Sequence, residues 1–197
     1  MNFLFLALSI VLLIFLHELG HLIAAKLCKC GVTEFAIGFG KALWSKQIGP
    51  TLYKINILPF GGYCKLAHEL ESSDDPTAFT NKKYSQKVLI SLAGVLVNVV
   101  TGSIAYFIGL YFCNQILFSF GYYSLAIGLS NLLPIPALDG SYPFFILLEK
   151  KIGKEKAYIY IAQLFKRWFG YLMILNWVSI YFLVLYWYAQ FLQLWLN

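Results

Sequence analysis

The fold of this chain is decided by residues 88–138, which read VLISLAGVLVNVVTGSIAYFIGLYFCNQILFSFGYYSLAIGLSNLLPIPAL and contain no charged side chain. A helix that crosses a bilayer needs about 20 predominantly apolar residues. This run of 51 residues is therefore long enough for two membrane spans, with a tight turn near Asn114 and Gln115. The stretch predicts a pair of consecutive transmembrane helices.

Two further runs predict one span each. Between Asn2 and Lys26 the only ionisable side chains are His17, Glu18 and His21, and nothing is charged from residue 168 to 197. The first run is too long and lacks the basic start of a signal peptide, so we expect a retained span. The fold class expected is an α-helical membrane protein, a single integral-membrane domain over residues 1–197. Its roughly four transmembrane helices would lie near residues 3–25, 88–113, 116–138 and 168–192.

The basic residues predict the orientation of these spans. Nine of the 15 Lys and Arg lie between Lys26 and Lys87, and six between Lys150 and Arg167. With four spans both groups face the same side, which the positive-inside rule makes cytosolic. We expect a multi-pass protein of the cytoplasmic (inner) membrane with both termini outside. Anionic lipid explains the net charge of +6 better than nucleic acid, because no basic residue interrupts the long apolar runs.

A small β-hairpin is predicted on the cytosolic side, within a loop over residues 34–66. Residues 34–40 and 51–58 read as strands, with Tyr53, Ile55 and Ile57 alternating on one face of the second. The turn would lie around residues 46–50, and Gly61-Gly62 would end the second strand.

His17-Glu18-Leu19-Gly20-His21 matches the pattern H-E-x-x-H. On a helix the two imidazoles share one face and can reach one ion, while Glu18 lies about 100° round the helix, close enough to handle a water on that ion. A soluble helix could carry these residues as a solvated patch. Within a membrane span each charged group costs roughly 2.5–3.5 kcal/mol on insertion scales, so a bound divalent cation is the better explanation.

Asp139 is the candidate for the third ligand, because a catalytic zinc site usually has three protein ligands and one open position. It is the first acid after the uncharged run, at a depth similar to that of the histidines. Pro134 and Pro136 precede it and predict that the helix ends in extended backbone. Such backbone is tolerated at membrane depth only when it is buried in protein or lines a wet cavity. An ordinary interfacial acid is the simpler alternative for Asp139 alone.

These motifs resemble the site-2 protease family of intramembrane zinc metalloproteases, and its RseP-like branch in particular. The H-E-x-x-H helix is similar to the family's zinc-binding helix, and residues 59–66 resemble a Gly-Gly-Tyr-Val-Lys segment with Cys64 at the Val position. The most specific stretch is residues 131–140, which match Asn-x-x-Pro-x-Pro-x-Leu-Asp-Gly.

The resemblance implies a zinc endopeptidase that hydrolyses peptide bonds in or near transmembrane segments, in regulated intramembrane proteolysis or signal-peptide clearance, and it implies a set of site residues. His17, His21 and Asp139 would bind zinc, Glu18 would be the catalytic general base and later acid, and Asn131 and Asn98 would hold the substrate backbone. The hairpin would present an extended substrate, such as a single-span membrane protein or a signal-peptide remnant.

Two departures and two alternatives accompany this expectation. RseP-like proteins carry PDZ domains between spans two and three, where only a short turn near Asn114 fits here, and Val95 stands where the branch often has Pro.

A membrane metal carrier or sensor could use the same His pair, although two expected spans carry no charge. A catalytically inactive adaptor that binds transmembrane segments is the other alternative.

Overall fold

The computed structural model describes residues 3–69, 73–135, 138–153, 156–157, 159–164 and 166–167. The elements are α1 (Phe3–Leu27), β1 (Val32–Ile48), β2 (Thr51–Leu66), a 3-10 turn (Phe79–Asn81), α2 (Tyr84–Tyr111), α3 (Gln115–Ser130) and α4 (Ser141–Ile152). The chain divides into two compact units, Met1–Phe144 and Phe145–Asn197, and the candidate site lies in the first. The predicted fourth span, 168–192, lies outside the described residues.

Two helices are long and apolar enough to cross a membrane among the residues described, Leu8–Leu27 and Tyr84–Tyr111. They agree with the first two predicted spans. Only three residues separate α2 from α3, and the Asn114 side chain caps α3 by accepting hydrogen bonds from the backbone N–H groups of Ile116 and Leu117. This turn leaves no room for an inserted domain between the two helices.

The third helix is shorter than the span predicted near residues 116–138. The prolines were expected to end the helix, and α3 ends at Ser130, before both of them. The chain then turns, and the Leu133 amide donates to the Ser130 carbonyl at 3.2 Å. Pro134 keeps the helix from resuming, because it has no N–H to donate to the Ser130 carbonyl and its ring disfavours helical backbone at Leu133. The 16 residues of α3 measure about 24 Å at roughly 1.5 Å per residue.

Glycines let the three long helices approach one another closely. A Cβ atom on Gly20 would lie 2.7 Å from the Ala93 carbonyl oxygen, so α1 meets the α2 backbone directly at this point. In the same way a Cβ atom on Gly121 would lie 2.3 Å from the Tyr106 amide nitrogen, between α3 and α2. Small residues at such contacts are how membrane helices bring their backbones together. The contact with Gly20 places the histidine pair of α1 against α2.

The hairpin is larger and more bent than predicted. β1 and β2 form a two-stranded antiparallel sheet joined at Gly49 and Pro50. The expected break at Gly61-Gly62 was wrong, because β2 continues through these residues to Leu66. Gly61 takes a φ of 90°, a conformation that favours glycine, and the strand bends there instead of ending.

The bend lets the first part of β1 pair on both of its sides. Glu34 is the partner of both Leu52 and Lys65, and Ile37 is the partner of both Ile55 and Gly62. Residues 62–66 therefore form their own edge of the sheet. This edge is the part of the hairpin that reaches the candidate site.

An ion pair fixes the bent hairpin. The Lys54 ammonium donates to the Glu34 carboxylate at 2.6 Å, and the Tyr63 hydroxyl donates to the same oxygen at 3.1 Å. The hydrogen bond from Lys54 lowers the pKa of Glu34 below its usual range. Glu34 thereby connects both arms of β2 to β1.

A buried cluster holds the base of the hairpin against α1 and α2. It is formed mainly by apolar side chains, with Phe79 only 1% exposed and Ile90 only 2%. Its principal members are Leu22, Ala25, Cys28, Cys30, Val32, Phe35, Leu66, Phe79 and Ile90. Because Leu22 follows His21 directly, this packing also sets the position of the second histidine.

Candidate metal centre and active-site cavity

The histidine pair lies on one face of α1, as the four-residue spacing predicts. The Nε2 atoms of His17 and His21 are 3.3 Å apart, and the two rings are close to perpendicular. His17 is 7% exposed. Both Nε2 atoms point to the same small space beside α2.

Asp139 reaches this space from the loop after α3. Its Oδ2 lies 2.9 Å from His17 Nε2, and its Oδ1 lies 3.3 Å from His21 Nε2. The loop closes on itself, because the Gly140 amide donates to the Asn131 carbonyl at 2.8 Å. A Cβ atom on Gly140 would lie 2.1 Å from the Leu132 carbonyl oxygen, so only glycine fits directly after Asp139. The structure thus brings together three side chains that are far apart in the sequence.

The arrangement fits a divalent metal such as zinc. One ligand atom from each of the three residues lies within 4.8 Å of the other two. Zinc bonds of about 2.0–2.1 Å in a tetrahedron place the ligand atoms about 3.3 Å apart, close to the spacing here. Asp139 Oδ2 is buried and faces His17 Nε2, which offers it no hydrogen when that nitrogen keeps its lone pair for a metal. A buried carboxylate oxygen without a donor is costly, and a cation between the three groups would satisfy it.

His21 is held from behind by the backbone of α2. Its Nδ1 lies 2.7 Å from the Ile90 carbonyl oxygen. A carbonyl only accepts, so Nδ1 carries the proton and Nε2 keeps its lone pair for a metal. Gly94, one turn further along α2, leaves space for both rings: a Cβ atom there would lie 2.4 Å from His21 Nε2 and 2.8 Å from His17 Nε2. No pattern in the sequence indicates either role.

A cavity of about 540 Å³ opens beside the three ligands. Glu18 and His21 line it from α1, residues 62–66 from the edge of β2, and Asp139 from the loop. A Cβ atom on Gly62 would lie 2.8 Å from Glu18 Cγ, so this glycine leaves room for the carboxylate. The remaining lining residues are Glu69, Phe79, Ile90, Ser91, Leu138, Ser141 and Tyr142. The cavity thus joins the predicted base, two of the three candidate ligands and a strand edge.

The two asparagines predicted to hold substrate do not lie among the described residues that line the cavity. Asn98 is 0% exposed, and its side-chain nitrogen lies 3.3 Å from His17 Nδ1. This burial does not fit contact with a substrate backbone. Asn131 is half-buried at the end of α3, next to the loop that carries Asp139.

The fold and the three converging ligands define a candidate metal centre between α1, α2 and the loop after α3. The sequence profile of peptidase family M50, the site-2 protease family, matches residues 5–115, more than half of the chain. The chain belongs to this family.

Curated relatives agree with this assignment. A protein of Clostridium perfringens, provisionally named a zinc metalloprotease, is 44% identical over 110 residues, 56% of this chain and 32% of that protein. A similarly named protein of Clostridium acetobutylicum is 42% identical over 94 residues, 48% of this chain and 28% of that protein. The match therefore spans about a third or less of these relatives.

The site-2 protease from Methanocaldococcus jannaschii has the same fold, with a TM-score of 0.55 and 20% identity over 88% of this chain and 67% of that chain.

Proposed function

We propose that this chain is a zinc endopeptidase that hydrolyses peptide bonds in or near transmembrane segments. One observation carries the proposal: His17, His21 and Asp139 converge within 4.8 Å, beside a cavity that Glu18 also lines. The provisional names of the relatives support zinc as the metal. His17 and His21 would bind it through Nε2, and Asp139 through its carboxylate.

A bound zinc ion would be the Lewis acid of the site, which polarises the carbonyl of the scissile peptide bond and lowers the pKa of a bound water to about 7. The residues of the chain would then do the proton transfers. Glu18 takes a proton from the attacking water and returns it to the leaving amine as the peptide bond breaks. The H-E-x-x-H spacing suits this task, because it places a carboxylate beside the two ligands without using it as a ligand.

The substrate would bind as an extended strand. A helix hides its carbonyls in its own hydrogen bonds, so the scissile segment must be unwound before attack. The edge of β2 at residues 62–66 lines the cavity and offers backbone groups to which an extended chain can pair. Asn131, which lies at the end of α3 and not in the cavity wall, would hold the substrate backbone beside the loop that carries Asp139. Single-span membrane proteins or signal-peptide remnants with helix-weak segments are the substrates that this site favours.

We further propose a multi-pass arrangement in the cytoplasmic membrane with four spans and both termini outside. The positions of the basic residues support it. The cysteines allow a direct test, because Cys113 in the turn between α2 and α3 is exposed, whereas Cys28 and Cys30 are buried and Cys64 is half-buried. A membrane-impermeant maleimide added to intact cells should label Cys113, and Cys113→Ser should abolish the signal. Labelling only after the cells are opened would contradict this orientation.

Hydrolysis is tested with Glu18→Gln, using purified protein and a panel of single-span substrates. The amide cannot act as a base, so cleavage should fall by at least about 100-fold while the zinc content stays at one ion per chain. Asp74→Asn, in an exposed loop, is the matched acid-to-amide control and should cleave normally. Wild-type cleavage by Glu18→Gln would refute the base assignment. A zinc-loaded wild type that cleaves no substrate would instead favour a metal carrier or an inactive adaptor.

A further inference from the structure

We propose that Asn98 is a positioning residue whose side-chain carbonyl accepts the N–H of His17 Nδ1 and so keeps His17 Nε2 free to bind metal. The inference rests on the proposed zinc site and assigns Asn98 a role behind the ligand, in place of contact with substrate. It follows from three features of the structure around Asn98.

The first feature is the hydrogen bonding of the Asn98 amide. Its nitrogen lies 3.3 Å from His17 Nδ1, while its oxygen is buried and has no hydrogen-bond partner among the described residues. If the amide donated, His17 Nδ1 would be the acceptor and the proton would sit on Nε2, the atom that faces Asp139. That proton would block metal binding. The two ends of an amide are nearly the same in shape, so turning it by 180° costs no space.

The turned orientation removes the conflict at His17 and gives the Asn98 oxygen a partner, while the amide nitrogen moves to the position that the oxygen held. The Asn98 oxygen accepts the N–H of His17 Nδ1, and His17 Nε2 presents its lone pair to the metal. Metal-binding histidines almost always donate the other ring N–H to a carbonyl or carboxylate, which fixes both the tautomer and the ring orientation.

The second feature is that α2 already supports His21 in this way, through a carbonyl oxygen beside Nδ1. His21 Nδ1 lies 2.7 Å from the Ile90 carbonyl oxygen. Ile90, Gly94 and Asn98 follow one another at four-residue intervals and therefore share a face of α2. Ile90 supports one ring, Gly94 leaves space for both, and Asn98 supports the other.

The third feature is that α3 fixes the position of Asn98. The Ser124 hydroxyl donates to the Asn98 backbone carbonyl at 2.8 Å. A Cβ atom on Gly128 would lie 3.1 Å from Asn98 Cβ, so α3 packs closely against this residue. A residue that sets the orientation of a ligand must itself be held rigidly, and Asn98 is.

Asn98→Asp separates an accepting from a donating role, because a carboxylate accepts but does not donate. Zinc affinity would be measured in the purified full chain by competition with a chromophoric chelator, which needs no enzymatic activity. We expect Asn98→Asp to bind zinc within about threefold of wild type or more tightly, and Asn98→Leu, of similar size, to bind about 10- to 100-fold more weakly. A tenfold or greater loss in Asn98→Asp, or wild-type affinity in Asn98→Leu, would overturn the proposal.

Asn56→Leu is the matched control, since Asn56 is also buried, at 5% exposure, but donates to the Gly38 carbonyl within the hairpin. It should leave zinc affinity unchanged. If Asn98→Leu does not fold, Asn98→Asp alone decides between the two roles. A wild-type chain that binds no zinc would refute the proposed function itself. A wild type that binds zinc, together with variants that contradict the expected order, would refute only the role of Asn98.

Discussion

Gly94→Ala should remove most of the zinc affinity without unfolding the protein. The added Cβ atom would lie 2.4 Å from His21 Nε2 and 2.8 Å from His17 Nε2, whereas ordinary contact begins at 3.4 Å. The rings or α2 must therefore yield by about 1.0 Å (3.4 − 2.4) and about 0.6 Å (3.4 − 2.8). Metal sites tolerate about 0.2 Å in a ligand distance, so both histidines would leave the range for binding.

The size of the effect can be bounded. Loss of a single supporting group behind a ligand costs about 10- to 100-fold in metal affinity. Gly94→Ala acts on two ligand atoms at once, so we expect at least a 100-fold loss, the upper end of that range. The helix itself should not suffer, because alanine is favoured over glycine within a helix by roughly 0.5–1 kcal/mol.

The assay is metal content by mass spectrometry and affinity by chelator competition, with the helical circular dichroism signal as the check on folding. Val100→Ile is the matched control, since Val100 lies on the same helix and is 55% exposed, so the extra methyl group meets no histidine. It should bind zinc as the wild type does. If Gly94→Ala were folded and held zinc with unchanged affinity, the space that we assign to this glycine would not matter for the site.

Three further predictions concern packing, thiol reactivity and the metal. Gly121→Ala would place a Cβ atom 2.3 Å from the Tyr106 amide nitrogen. It should therefore separate α2 from α3 and lower the melting temperature by several degrees, and an unchanged melting temperature would contradict the close contact. Burial raises the pKa of Cys64 to about 12, so the rate at which Cys64 is alkylated should rise about tenfold per pH unit between about pH 8 and 10. A rate that levels off near the ordinary thiol pKa would contradict that burial. Chelator treatment should destabilise the protein by about 2.7 kcal/mol relative to zinc at 100 times its Kd, and added zinc should restore the stability; equal melting curves would argue against a bound metal.

Several features of this protein follow from sequence because they depend on neighbours along the chain. Long uncharged runs predict helices long enough to cross a bilayer, and both long apolar helices of the described chain lie where the runs predict. The four-residue interval between His17 and His21 places both rings on one face of any helix. Pro134 and Pro136 predicted an end to α3, but the helix ends earlier, at Ser130.

The remaining features were decided by contacts between distant segments. His17 and Asn98 are 81 residues apart, and no local pattern distinguishes an asparagine behind a ligand from one that holds substrate. The Ile90 carbonyl supports His21, but a backbone oxygen has no signature in the sequence. Gly94 on α2 and Gly62 on β2 leave space for side chains of α1, and only the packing of these elements reveals that role. Sequence thus determined where the long helices lie and which residues are capable of binding metal. Tertiary packing decided which helix face, carbonyl and strand edge surround those residues, because the distances between them depend on how the elements dock.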